Sequence, residues 1–300
     1  MRALVTGATG FIGRRLLSEL ERPVVLTRDP DRARSLLGAD VQALHWEMEA
    51  GPPTPDCFRG VDVVFHLAGE SIGEGRWTAE KKKRITSSRV HGTRHLVSGI
   101  EAAHPRPAVL VSASAIGYYG DRGEEILDES APPGGDFLAQ VCQAWEAEAA
   151  RARSLGVRVV APRIGVVFGK GGGALARMLL PFKLGLGGRL GSGRQWISWI
   201  HLDDLAGLLL HAARKPEIDG PMNAVSPGAV TNRQFTRTLA AVLKRPAVFP
   251  VPAPLLRLAL GEFASVLLAS QRVTPRVALE TGYRFRYPSL EDALRNAAGN

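Results

Sequence analysis

Three glycines near the N-terminus carry the clearest chemical signal. The segment Thr6-Gly7-Ala8-Thr9-Gly10-Phe11-Ile12-Gly13 follows an apolar run and opens a helical pattern. Gly7 permits a tight turn, Gly10 lets a pyrophosphate approach the backbone, and Gly13 lets the helix pack on the strand. An anion held there lies over a helix N-terminus, where free N–H groups and the dipole favour negative charge. The spacing predicts a dinucleotide site; the plainer alternative is a tight turn with nothing bound. The next strand-like run ends Leu26-Thr27-Arg28. An acid there would bind a ribose 2′-hydroxyl, whereas an Arg suits a 2′-phosphate. The pattern favours NADP(H) over NAD, although Asp29 and Asp31 follow closely and either can reach a ribose. Leu67-Ala68-Gly69 closes another apolar run with small residues that let a cofactor lie close.

Groups able to move a proton are scattered. Tyr118 and Tyr119 follow a further strand-like run, at the end where ligands bind in parallel sheets. A Tyr there can donate a proton if its pKa falls from about 10, but no Lys is in place to lower it. Its plainer role is an aromatic wall beside a substrate. Ser112 and Ser114 can orient a carbonyl or merely satisfy backbone groups. Glu70 can act as acid or base, or cap the following segment. His201 before Asp203-Asp204 suggests a base, yet capping by Asp203 is the commoner use. Ser114 and Tyr118 are the catalytic candidates. No cluster of His, Cys, Asp or Glu has metal-ligand spacing, so no metal is expected.

These residues need a frame. Strand-like runs at 3–6, 24–27, 41–46, 61–67, 108–112 and 157–161 alternate with helical patterns at 11–20, 29–37, 78–103 and 137–155. That rhythm implies a parallel sheet with helices on both faces. After Pro162 it changes. Glycine-rich stretches enclose a helix at 174–184, a strand is expected over 196–200, and helices over 203–213, 231–243 and 255–270. The fold class is α/β, a Rossmann-type doubly wound sheet with a smaller, mostly helical C-terminal substrate lobe. Residues 1–165, with about 196–230 returning to them, form the cofactor domain; 166–195 and 231–300 form the lobe.

Composition narrows the partners. The chain has 300 residues, 45% hydrophobic and 22% charged, which excludes disorder as its main state. Its net charge of +9 rests on seven Lys and thirty-one Arg. Lys81-Lys82-Lys83-Arg84 spreads around a helix without interleaved aromatics, so no nucleic acid is expected. No window approaches the roughly 18 apolar residues of a membrane span, and no signal peptide is visible. No membrane partner is expected. Two cysteines, Cys57 and Cys142, suit a reducing compartment. A cytoplasmic protein acting on a small molecule follows; homo-oligomerisation stays open.

The glycine spacing, His66–Glu70 (HLAGE), Gly92-Thr93 and Trp199–Ala206 (WIHLDDLA) resemble the extended short-chain dehydrogenase/reductases. Gly75–Thr78 (GRWT), Pro133–Phe137 (PGGDF), Gly171–Gly188 and Thr281–Pro288 (TGYRFRYP) resemble its atypical, epimerase-like subfamily. The resemblance covers nearly the whole chain. It implies cofactor contacts along Thr6–Gly13 (Thr9, Phe11 and Ile12 included), at Thr27 and Arg28, at Leu67, Ala68, Gly69 and Glu70, and at Arg89. It also places the Val167 backbone near the nicotinamide. Arg84 or Arg89, on the long helix facing the cleft, can meet phosphate charge.

The superfamily's usual Ser and Tyr-x-x-x-Lys do not carry over. Ala115 stands at the Ser position beside Ser114, and Leu138 and Cys142 stand at the Tyr and Lys positions. Arg89 replaces the helix Asn. The leading expectation is an NADP-dependent oxidoreductase for a small carbonyl, alcohol or sugar-like substrate. A non-catalytic NADPH-binding sensor or interaction protein is the alternative, and a sugar-nucleotide epimerase is third.

Overall fold

The computed structural model describes residues 1–38 and 40–299. The chain begins β1 (Ala3–Thr6), α1 (Phe11–Leu17), β2 (Val24–Thr27), α2 (Pro30–Leu37), β3 (Gln42–His45), β4 (Val63–His66), α3 (Ala79–Ala102), β5 (Val109–Ser112). It continues through β6 (Ser114–Ala115), β7 (Ile126–Leu127), α4 (Phe137–Ala150), β8 (Arg158–Ile164), β9 (Val166–Phe168) and α5 (Gly173–Lys183). Then come β10 (Trp196–Ile197), β11 (Trp199–His201), α6 (Leu202–Arg214), β12 (Gly220–Ala224), β13 (Val230–Thr231) and α7 (Asn232–Leu243). The last elements are α8 (Ala253–Leu260), α9 (Ala264–Leu268), β14 (Arg272–Val273), α10 (Arg276–Glu280) and α11 (Leu290–Ala298).

The main sheet runs β12-β8-β5-β4-β1-β2-β3, every neighbouring pair parallel, with β6 added beside β8. Its strands are apolar throughout because both faces are covered. Along β1, Ala3 and Val5 pack with Leu16, Leu205 and Leu208 on one side. Leu4 packs with Phe58, Leu96 and Ile100 on the other. The order reverses between β1 and β4, which opens a crevice at their carboxyl ends.

The helical C-terminal region has its own core, built on Phe168, Trp199, Phe235 and Leu294. Phe168 stacks on Trp199 and Phe235 at 5.9 and 5.3 Å between ring centres. Among the described residues no helix is long and apolar enough to cross a membrane.

Three element expectations change. The strand expected over 196–200 is two: β10 pairs with β13 and β11 with β9. Ser198 between them is fully buried and tied by its hydroxyl to Gln271 and Val273. The helix expected over 255–270 breaks at Gly261, whose φ of +61° leaves the helical region. β12, absent from the sequence reading, completes the main sheet at its edge.

Candidate functional site

The glycine loop leaves β1 at the point where the sheet order reverses. Gly7 has φ +70°, and a Cβ there would sit 2.8 Å from Ala68 N and the Leu67 carbonyl of the turn after β4. A Cβ at Gly13 would sit 2.3 Å from the Gly7 carbonyl oxygen. Both positions therefore require glycine. Gly10 caps α1 without any side-chain bond, so the first-turn N–H groups stay available to an anion.

Thr6 is fully buried, and its hydroxyl is engaged internally. Its Oγ1 lies 2.7 Å from His66 Nδ1 and accepts from Ala68 N at 3.2 Å. His66 Nε2 reaches Thr93 on α3 at 3.0 Å. Burial pushes the imidazole down to about 4, so it is neutral. This chain of bonds fixes loop, turn and long helix to one another.

Phe11 shows why a second glycine run exists. Hypothetical Cβ atoms at Gly172 and Gly173 would fall 2.5 and 2.7 Å from its ring, and one at Gly169 would fall 3.0 Å away. The Gly169–Gly173 loop closes directly on Phe11. The Val167 carbonyl borders the same contact.

Arg28, exposed at the end of β2, has no hydrogen bond or ion pair among the described residues. The two acids that follow it are engaged. Asp29 caps α2 by accepting from Arg32 N at 2.9 Å, and Asp31 pairs with Arg34 at 2.6 Å. Thr27 accepts from Asp29 N at 3.3 Å. Thr9 is exposed on the loop, and Ile12 packs on the core.

Past Gly69 the charges pair among themselves. Glu70 lies 2.6 Å from Lys81 Nζ and 3.6 Å from Arg84. The Lys81 hydrogen bond holds the Glu70 carboxyl below its usual range. Arg89 lies half-buried under this turn, donating to the Glu70 and Ile85 carbonyls at 3.0 and 3.3 Å, with Trp145 beneath it. Residues 71–78 then strap the crevice. Arg177 of α5 donates to the Gly73 carbonyl, Arg76 donates to the Leu258 carbonyl at 2.6 Å, and Trp77 packs against Phe137 and Phe263.

The β5–α4 side holds a closed polar network. Ser114, 3% exposed, donates to Glu146 at 2.6 Å. Glu146 grips Arg163 of β8 through two 2.9 Å bonds. Burial lowers the Arg163 pKa, and Glu146 more than offsets it, so the guanidinium stays charged. Arg163 also donates to the Tyr119 hydroxyl at 3.0 Å, and that hydroxyl donates to Asn223 at 2.6 Å. Burial pushes Tyr119 up to about 12. Tyr118 differs. Tyr118 is half-buried, its ring centre lies 3.4 Å from the Arg163 guanidinium carbon, and its hydroxyl has no partner among the described residues. Leu138 and Cys142 face the same turn, close to Gly117. Burial pushes the Cys142 thiol up to about 11, so it is protonated.

Residues 3–226 match the NAD dependent epimerase/dehydratase family, and residues 251–297 match a domain of unknown function, DUF1731. The chain belongs to the NAD dependent epimerase/dehydratase family. It is 44% identical to an Arabidopsis thaliana chloroplastic homologue of epimerase family protein SDR39U1, over 98% of this chain and 86% of the relative. It is 39% identical to epimerase family protein YfhF of Bacillus subtilis, over 98% and 97%. The crystal structure of human SDR39U1 (isoform 2) with NADPH superposes with a TM-score of 0.89 at 37% identity, covering both chains completely.

Within this family member, the structure brings the predicted loop and turn residues together around the crevice: Thr6 and Gly7 against Leu67 and Ala68, Gly13 against Gly7, Gly69 against Arg89, and Glu70 against Arg84 and Arg89. Arg28 stands apart at the end of β2. Ser114 and Tyr118 both border Arg163, but only Tyr118 keeps a free polar group. Sequence reasoning missed Glu146, Arg163, Asn223 and His66. It also missed the Gly169–Gly173 closure, whose signal was the FGKGGG run itself.

Proposed function

We propose that this chain binds NADP(H) and uses it as an oxidoreductase on a small carbonyl or alcohol. The glycine cradle fits a pyrophosphate, and the unpaired Arg28 suits a 2′-phosphate. Residues 1–165 with 196–230 hold the cofactor in this reading, and the remainder shapes the substrate side. Bound NADPH supplies a hydride. Tyr118 supplies the proton, from its hydroxyl to the carbonyl oxygen.

The observation that carries catalysis is that free hydroxyl, on a ring held by Arg163 at the carboxyl end of the sheet. In this reading Ser114, which donates to Glu146, positions the turn. The test is NADPH oxidation across a broad carbonyl panel by the wild type and Tyr118→Phe. Turnover in the wild type, lost by about a hundredfold or more in the variant with NADPH affinity kept, supports the proposal. Equal turnover in both removes Tyr118 from the chemistry.

A second reading has its own observation. Ser114 is engaged by Glu146, and a hydrophobe and a protonated thiol stand where the superfamily places its Tyr and Lys. A chain so equipped can bind NADPH as a sensor without turnover. Tight NADPH binding with no oxidation anywhere on the panel would favour it.

A further inference from the structure

One face of the helical region is both basic and apolar. No Asp or Glu lies between Gly169 and His201 or between Gly220 and Gly261, while each stretch carries five basic residues. On this face the segment after α5 runs beside the segment after α7. Phe249 N donates to the Gly187 carbonyl at 3.2 Å and Val251 N to the Arg189 carbonyl at 2.9 Å. The two segments expose Leu184 and Leu186 on one side and Val248 and Phe249 on the other, at 65%, 58%, 69% and 54%.

Next to them lies a groove of about 430 Å³, lined by Arg237, Lys244 and Arg245 together with Ala240, Ala241 and Pro246. None of these three cations has an ion pair among the described residues. Lys244 is also held at φ +51°, a helix-end position where glycine is the common choice.

We infer that this face docks on an anionic phospholipid bilayer, with lipid phosphates in the Arg237–Lys244–Arg245 groove and Leu184, Leu186, Val248 and Phe249 in the interfacial hydrocarbon. Uncovered aliphatic and Phe side chains beside unpaired Lys and Arg are what an interfacial contact requires. A second copy is a poor occupant. A two-fold contact would set this face against itself, cation against cation with no acid to answer. A nucleic acid answers the charge but leaves the leucines uncovered. The expectation of no membrane partner rested on the lack of a spanning segment, and a peripheral contact needs none.

The full chain is floated with vesicles of phosphatidylcholine alone and of equal parts phosphatidylcholine and phosphatidylglycerol. The wild type is expected to float with the mixed vesicles only, and to be released by salt. Leu186→Ser with Phe249→Ser lowers the partition by more than about tenfold. Lys244→Gly, which relieves the backbone, with Arg245→Gln lowers it about fivefold for each charge removed. All four side chains are exposed and outside the crevice, so nicotinamide binding stays unchanged in both variants and neither melts below the wild type. Binding to neither vesicle, or to both equally, overturns the inference. So does an apolar variant that still floats while the charge variant does not, because the hydrocarbon contact is then absent and the face is a general polyanion site.

Discussion

On the β1–β4 side of the crevice, several polar groups are left open: first-turn N–H groups of α1 without a side-chain cap, and Arg28 without a partner among the described residues. On the β5–α4 side, polar side chains answer one another. Ser114, Glu146, Arg163, Tyr119 and Asn223 form one connected set, and the Tyr118 hydroxyl is left over. The first side leaves donors unanswered by the protein, as the proposed cofactor site would require. The second is bonded internally through these five side chains, with Ser112 Oγ, Trp145 Nε1 and one Glu129 oxygen buried beside them without a hydrogen bond. In a parallel sheet both sides lie at the carboxyl ends of strands, so position alone does not distinguish them. The state of their hydrogen bonds does.

The largest expected effect tests the closed side. Arg163 and Glu146 are buried, with 3% and 16% of their side chains exposed. Arg163→Met leaves the Glu146 carboxylate without its counter-charge and costs about 3–5 kcal/mol of stability, read by urea unfolding. Replacing both, Arg163→Met with Glu146→Leu, recovers most of that loss, because a buried pair adds little over well-packed apolar side chains. Cofactor affinity, measured on the folded double variant, stays at the wild-type value. A double variant that is stable yet binds no NADPH would break the contrast between the two sides.

The open side is tested next. Arg28 has no structural bond to lose, so Arg28→Ala should leave the melting temperature in place. The charge-assisted bonds proposed to the 2′-phosphate are worth about 1.5–3 kcal/mol, a tenfold to hundredfold loss of NADPH affinity. NADH affinity should not move. Calorimetric titration of both nucleotides reads the difference, and a parallel loss for both would mean that Arg28 acts on the fold or the pyrophosphate.

The same contrast explains what the sequence made legible. The open side depends on residue types at short spacing. Gly7, Gly10 and Gly13 lie within seven residues, and each requirement is local: a positive φ or a close backbone approach. The closed side depends on Glu146 of a helix meeting Arg163 of the next strand, a partnership that only the packing of α4 on the sheet creates. Arg163 stood outside the strand expected over 157–161, since a charged residue after Pro162 reads as the end of an apolar run. β12 was hidden for a similar reason. Gly220-Pro221-Met222-Asn223-Ala224 carries a Pro that a central strand would not tolerate. It survives because β12 is an edge strand, with no strand paired beyond it among the described residues. The break at Gly261 and the division of 196–200 between two partner strands are likewise tertiary choices.

The smallest effect concerns the one buried polar link on the open side. His66 titrates near its ordinary 6.5 in the unfolded chain and only near 4 when folded. Between those values the unfolded state binds a proton that the native state refuses, so stability present above pH 6.5 is lost as pH falls and levels off near 4. The loss attributable to His66 is about 1.4 kcal/mol by pH 5.5. Glu129, on the closed side, has the opposite sign. Burial raises its carboxyl pKa, and one of its oxygens has no hydrogen bond. Protonation therefore favours the native state there, and acid returns some stability. Urea unfolding at pH 7 and 5.5 separates the two. His66→Gln should flatten the pH dependence by about the His66 amount, while Glu129→Gln should steepen it at the acid end. A His66→Gln slope equal to that of the wild type would show that native His66 takes up its proton at the same pH as in the unfolded chain, and so is charged by pH 5.5. The Thr6–His66–Thr93 link would then be an ionised contact, and the open side would hold a buried charge of its own, as the closed side does.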